Sequence, residues 1–95
     1  MKIKVNNKEF NVEVARTDEE KEIGLSNIHY LSDDEGMLFI YNEPQEVSFW
    51  MKDTFIPLDI IFINDEEEVI SVHKGVPEDE TPITEDNVLY VLEVL

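Results

Sequence analysis

The chain has 95 residues, with 23 Asp or Glu against 7 Lys or Arg and a formal net charge of -16. That length gives room for one domain and one core, and a hydrophobic share of 42% is enough to build it. The charge excludes direct binding to nucleic-acid phosphates or anionic membranes, and the lack of cysteine excludes disulfides, thiolate metal sites and a cysteine nucleophile.

Taken in chain order, the pattern predicts short strands and one helix. Met1–Val5 alternates weakly, Asn6-Asn7-Lys8 is a turn, and Phe10–Val14 alternates cleanly, placing Phe10, Val12 and Val14 on one face of a hairpin. Thr17 followed three residues later by Glu20 is a capping box, so a short helix starts there and ends or bends at Gly24. After a polar loop at Ser32–Gly36, the apolar run Met37–Tyr41 is a strand covered on both faces. Asn42–Glu46 is expected to be a loop, since Pro44 excludes a helix interior. Strands are expected at 47–51 and 59–63, joined through Thr54-Phe55-Ile56-Pro57, and again at 69–73. A long acidic loop is expected from Gly75 to Asn87, followed by a closing strand over Val88–Leu95. The expected fold is one α+β domain over 1–95: a curled, mainly antiparallel sheet (a small open barrel or sandwich) with one short N-terminal helix.

The amino terminus lacks the apolar core of a signal peptide, and no apolar run approaches bilayer length. A cytoplasmic monomer is therefore the expectation. The acidic surface has three readings. It can be plain solvation; it can mark a halophile, which ten isoleucines and six lysines fit poorly; or it can mimic a nucleic-acid backbone.

Five segments appear in the order of a known family. They are Gly24-Leu25, Gly36-Met37-Leu38-Phe39, Phe49-Trp50-Met51-Lys52-Asp53-Thr54, Ile56-Pro57-Leu58-Asp59-Ile60 and Tyr90-Val91-Leu92-Glu93-Val94. Together, from about Glu13 onward, the chain resembles domain of unknown function 192, a group of small bacterial, archaeal and phage domains. The resemblance implies a compact, mostly β fold with a helix near the amino terminus and no established enzyme activity. Ser26 and Ile28 stand where that pattern usually has Met and Arg, and Asp53 stands where Asn is common. The family pattern also runs beyond Leu-Glu-Val to a glycine and a further segment. The acidic, shorter form suggests a phage-encoded or otherwise specialised prokaryotic member.

No nucleophilic triad, glycine-rich phosphate loop or zinc site is legible, and the acidic runs lack the alternation of a calcium loop, so no catalytic residue, metal or cofactor is assigned. The candidate ligand-binding set is Met37, Trp50, Met51, Lys52, Thr54, Asp59 and Glu93. Lys52, Thr54 and Asp59 lie at the ends of inner strands and Glu93 interrupts the apolar closing strand, while Trp50, Met51 and Met37 offer an apolar wall. A structural account competes with this. In it, Thr54 and Asp53 bond the corner backbone, Asp59 caps the turn before it, Glu93 pairs with Lys52, and Met37, Trp50 and Met51 fill the core. The expected function is non-catalytic binding of an unidentified small molecule or protein. The alternatives are a small enzyme using Asp59 or Glu93 as general acid or base, and an acidic decoy for a nucleic-acid-binding protein.

Overall fold

The computed structural model describes residues 1–95. Strands β1 (Lys2–Val5) and β2 (Lys8–Ala15) form the amino-terminal hairpin. Its turn residues Asn6 and Asn7 both have left-handed φ, 49° and 69°, as the tight turn between twisted strands requires and as Asn tolerates. Helix α1 (Asp18–Ile23) begins at the expected capping box. The Thr17 hydroxyl accepts from the Glu20 N–H at 3.1 Å, and the Glu20 carboxylate accepts from the Thr17 N–H at 3.0 Å. Gly24 ends the helix at φ 49°.

The helix is the crossover that lets β3 (Glu35–Phe49) return parallel to β2. All other pairings are antiparallel, so the sheet is mixed but mainly antiparallel. With β4 (Leu58–Ile63), β5 (Val69–Gly75) and β6 (Ile83–Val94), the strand order is β1-β2-β3-β6-β4-β5. The result is one open, six-stranded sheet, mostly β with a single short helix. Its edges, β1 and β5, are not paired with each other.

Two expected loops are strand instead. Segment 42–46 lies inside β3, because the pairing jumps there from Ile40↔Tyr90 to Gln45↔Val88 and the bulge needs no N–H from Pro44. Segment 83–87 is the first half of β6, pairing Ile83, Thr84 and Glu85 with Phe49, Ser48 and Val47. Its charges hid the alternation, since only one side of this arm meets the core. Conversely, Trp50 and Met51, expected at a strand end, lie beyond the end of β3.

Both faces of the sheet are covered. Phe10, Val12, Leu38, Ile61, Ile63, Leu92 and Val94 pack on one face. On the other, Phe39, Ile60, Phe62 and Val91 pack under Leu25, Val47, Met51 and Ile56, which come from the loops and the long β3–β6 arm. Such double coverage explains why β4 is apolar at five of its six positions. Gly36 allows β3 to approach β6 closely, since a Cβ there would sit 2.5 Å from the Glu93 carbonyl oxygen.

Candidate functional site

The segment after β3 does not continue as sheet; it folds into a knot of backbone hydrogen bonds. The Met51 N–H donates to the Asp79 carbonyl at 2.8 Å, the Thr54 N–H to the Met51 carbonyl at 3.1 Å, and the Glu78 N–H to the Thr54 carbonyl at 2.9 Å. Asp53 turns the chain with φ 56°, a conformation that Asn and Asp adopt more readily than other side chains, and its carbonyl accepts from the Asn27 N–H at 2.8 Å. The buried Thr54 hydroxyl donates to the Lys52 carbonyl at 3.3 Å. Met51 is driven into the core against Gly75, where a Cβ would lie 2.5 Å from its sulfur. Trp50, pushed the other way, remains 51% exposed.

Between this knot and α1 lies a cleft of about 350 Å³. Lys21 and Gly24–Ser26 line one side, Trp50, Lys52 and Thr54 another, and Phe39, Tyr41, Phe49 and Glu93 the sheet beneath. The Lys21 ammonium sits 4.1 Å from the Tyr41 ring centroid, and that of Lys52 sits 5.2 Å from the Trp50 ring. Each rim cation thus rests on an aromatic face. Phe49 meets Phe39 edge-on at 4.9 Å and Phe62 at 5.9 Å, fixing the apolar base.

Glu93 is the chemical centre of this cleft. It alternates with Val91 onto the helix-covered face and stands opposite Met37 on β3 and Ile60 on β4. Only 5% exposed, it engages in no ion pair. Burial alone raises its pKa to about 7. Burial, and then the charge of Glu93, push the Tyr41 hydroxyl up to about 12. Near neutral pH the floor of the cleft therefore carries a carboxyl group that can donate or accept a hydrogen bond.

The structure brings Trp50, Lys52, Thr54 and Glu93 to one cleft, whose lining does not include Asp59, Met37 or Met51. Asp59 faces the opposite side of the sheet, where its carboxylate is 2.6 Å from the Lys74 ammonium. It therefore neither caps the turn before it nor shares a site with Glu93. Met37, although directly across from Glu93 on β3, lines a neighbouring cavity beside Tyr30 and Leu31. Met51 is core. Glu93 does not pair with Lys52, whose ammonium is held on Trp50 instead. Lys21, Ser26, Tyr41 and Ser48 line the cleft and were not legible as site residues. For Lys21, its place among so few cations was the only available signal. His73 lies elsewhere, with Nε2 2.9 Å from the Glu85 carboxylate, and His29 stacks on Phe55 at 4.8 Å. No three His, Cys, Asp or Glu side chains are arranged to hold a metal ion, and no helix is long and apolar enough to cross a membrane.

Comparison with known proteins accords with this fold. The chain belongs to the family described as DUF192, Uncharacterized ACR, whose model matches residues 1–95. No curated protein matches it. Among solved structures, it is similar to a protein of unknown function from Novosphingobium aromaticivorans DSM 12444. That likeness has 39% identity and a TM-score of 0.91, covering 98% of this chain and 69% of the other. It is also similar to a Sinorhizobium meliloti 1021 protein described as a "putative transcription regulator". There the identity is 34% and the TM-score 0.88, covering 98% of this chain and 75% of the other.

Proposed function

We propose that this member of the family is a non-catalytic receptor for a small polar molecule. The ligand enters between α1 and the Trp50 knot and hydrogen-bonds Glu93. One observation carries the reading. A carboxyl group is buried at the floor of an open cleft, with no ion pair, while the two rim cations rest on rings rather than on it. A buried polar group normally finds a partner within the protein, so one aimed into a cleft suits a partner that arrives from outside. The sheet carrying it is best read as an incomplete barrel, since both of its edge strands border a second cavity on the opposite face.

A second reading makes Glu93 a general acid or base, and its pKa of about 7 favours that role. Asp59 has no part in it, being paired with Lys74 on the other face. The decoy reading gains nothing from the layout of charge. The acidic loop before β3 and the turn after β4 lie at opposite ends of the β4–β6 pairing, beside Val94 and Tyr90 respectively. The description of the Sinorhizobium protein is compatible with ligand sensing, but at -16 any contact with DNA would have to be made by another chain.

Trp50, the one tryptophan, is a built-in reporter at the rim. A panel of sugars, amino acids, small carboxylates and nucleosides should contain a member that shifts its fluorescence saturably in the native chain but not in Glu93→Leu. Turnover of that compound, reduced roughly 10²–10⁴-fold in Glu93→Gln, would replace receptor with enzyme. Equal binding by the native chain and Glu93→Leu would remove Glu93 from the site.

A further inference from the structure

Neither a hydrogen bond nor an ion pair reaches the carboxyl group of Glu93, burial being the only influence on its titration. Yet no fully enclosed side-chain oxygen or nitrogen in the molecule lacks a partner. The small open part of Glu93 therefore includes its carboxyl oxygens, and it opens into the cleft beneath α1. The protein supplies no donor to these oxygens, so a ligand that meets them has to bring one.

The charges lining the cleft select among donors. Asp18, Glu22 and Glu93 stand against Lys21 and Lys52, so with Glu93 ionised the acids exceed the bases by one. Neither lysine answers Glu93, because both ammonium groups rest on the rings of Tyr41 and Trp50. One added cation brings the sum to zero, whereas an added anion meets the same excess in a chain of net charge -16. A neutral hydroxyl bonds a carboxylate too, but an ammonium makes the stronger, charge-assisted bond. Leu25, Phe39 and Phe49 also line the cleft, which suits hydrocarbon in the rest of the ligand.

Resting on the receptor reading of Glu93, we infer that its ligand is a primary aliphatic amine, the ammonium donating to the Glu93 carboxylate and the hydrocarbon lying against Leu25, Phe39 and Phe49. Binding to the protonated form sends the carboxyl proton to the buffer, while the ammonium keeps its own protons. The charged and titratable groups around this carboxyl are Asp18, Lys21 and Glu22 of α1, Tyr41 of β3 and Lys52 of the loop. In the same cross-strand row, Glu13 lies two strands away beyond Met37 and His73 two strands away beyond Ile60, each roughly 10 Å off.

The test is titration of the full chain, by calorimetry and Trp50 fluorescence, with hexylamine, hexyltrimethylammonium, hexanol and hexanoate. Hexylamine should bind saturably and tightest. Hexyltrimethylammonium has the same charge but no N–H, and should bind about 10-fold or more weaker, which separates hydrogen bonding at Glu93 from general attraction to an acidic chain. Glu93→Gln should weaken hexylamine by roughly 10–100-fold and remove its advantage over hexyltrimethylammonium. At pH 6, where Glu93 is mainly protonated, the heat of hexylamine binding should differ between phosphate and MES buffers, and that difference should vanish in Glu93→Gln. Should the variant not fold, the comparison of the two cations and the buffer dependence of the native chain decide alone. Hexanol or hexanoate binding as tightly as hexylamine, with loss in Glu93→Gln, would overturn the amine while leaving the receptor reading in place. Hexylamine binding no tighter than hexyltrimethylammonium, or unchanged in Glu93→Gln, would reduce it to surface attraction and overturn the assignment. Absence of Glu93-dependent binding by these compounds and by the wider panel alike would remove the receptor reading as well.

Discussion

Asp59 and Glu93 are one register step apart on adjacent strands yet face opposite sides of the sheet. Asp59 is opposite Val94, and Glu93 is opposite Ile60. That single step gives the two carboxylates opposite chemistry. Asp59 reaches the surface and a lysine, whereas Glu93 is enclosed over the apolar cluster beneath α1 and the Trp50 knot.

The enclosure sets a pH dependence. The folded pKa of Glu93, about 7, lies above its ordinary value of 4.5, so folding favours the protonated form. Its contribution is full below pH 4.5 and is lost as pH rises toward 7, amounting to about 3 kcal/mol across that window. Glu93→Gln has no such proton to lose. Denaturant unfolding of both proteins at pH 5 and pH 8 should show the variant gaining on the native chain as pH rises. A constant difference would mean that Glu93 ionises normally.

Asp59→Asn should behave differently. Its pair with the exposed Lys74 is a surface contact, worth roughly 0–1 kcal/mol. Stability should scarcely move, and any compound that shifts Trp50 fluorescence should bind as before. A loss of binding would connect the two faces in a way that the register does not provide.

The hairpin, the helix start and most inner strands were legible because each depends on neighbouring residues: alternation, two turn asparagines and a capping box. The parallel placement of β3 beside β2 was not, since nothing local records which strand a crossover returns to. Strand residues 83–87 were obscured by their charge, and 42–46 by Pro44, which a bulge accommodates. For the site, Glu93 stood out as an acid inside an apolar strand. Asp59 looked equivalent in sequence, and only the strand register shows that it points the other way. Tyr41 gave no signal and Lys21 only its rarity as a cation, because the cleft exists only after α1 folds back over the sheet.

The packing of Met51 against Gly75 predicts a steric lesion outside the cleft. A methyl group at Gly75 would lie 2.5 Å from the Met51 sulfur and 3.1 Å from its Cγ, so the methionine cannot escape by moving its tip alone. Gly75→Ala should destabilise by roughly 1–3 kcal/mol, the usual range for overpacking, and should loosen the Trp50 knot. Replacing Met51 with Ala as well should recover part of that loss if the clash is its source. A double variant no more stable than the additive sum of the two single changes would place the cause elsewhere.

Finally, the excess charge predicts how the whole domain responds to salt. Only two lysine–carboxylate pairs draw on the 23 acidic residues, and the remaining carboxylates repel one another across a compact body with a radius of gyration of 12.1 Å. The Debye length at physiological ionic strength, ~8 Å, is shorter than that radius, so moderate salt removes most of the long-range repulsion. The surface pairs that salt also weakens are worth little individually, and repulsion is therefore the larger of the two screened terms. The melting temperature should rise from low to moderate sodium chloride, and more at pH 8 than at pH 5, where partial protonation has already reduced the charge. A flat or falling response would show that the carboxylates are spaced widely enough for water alone to screen them.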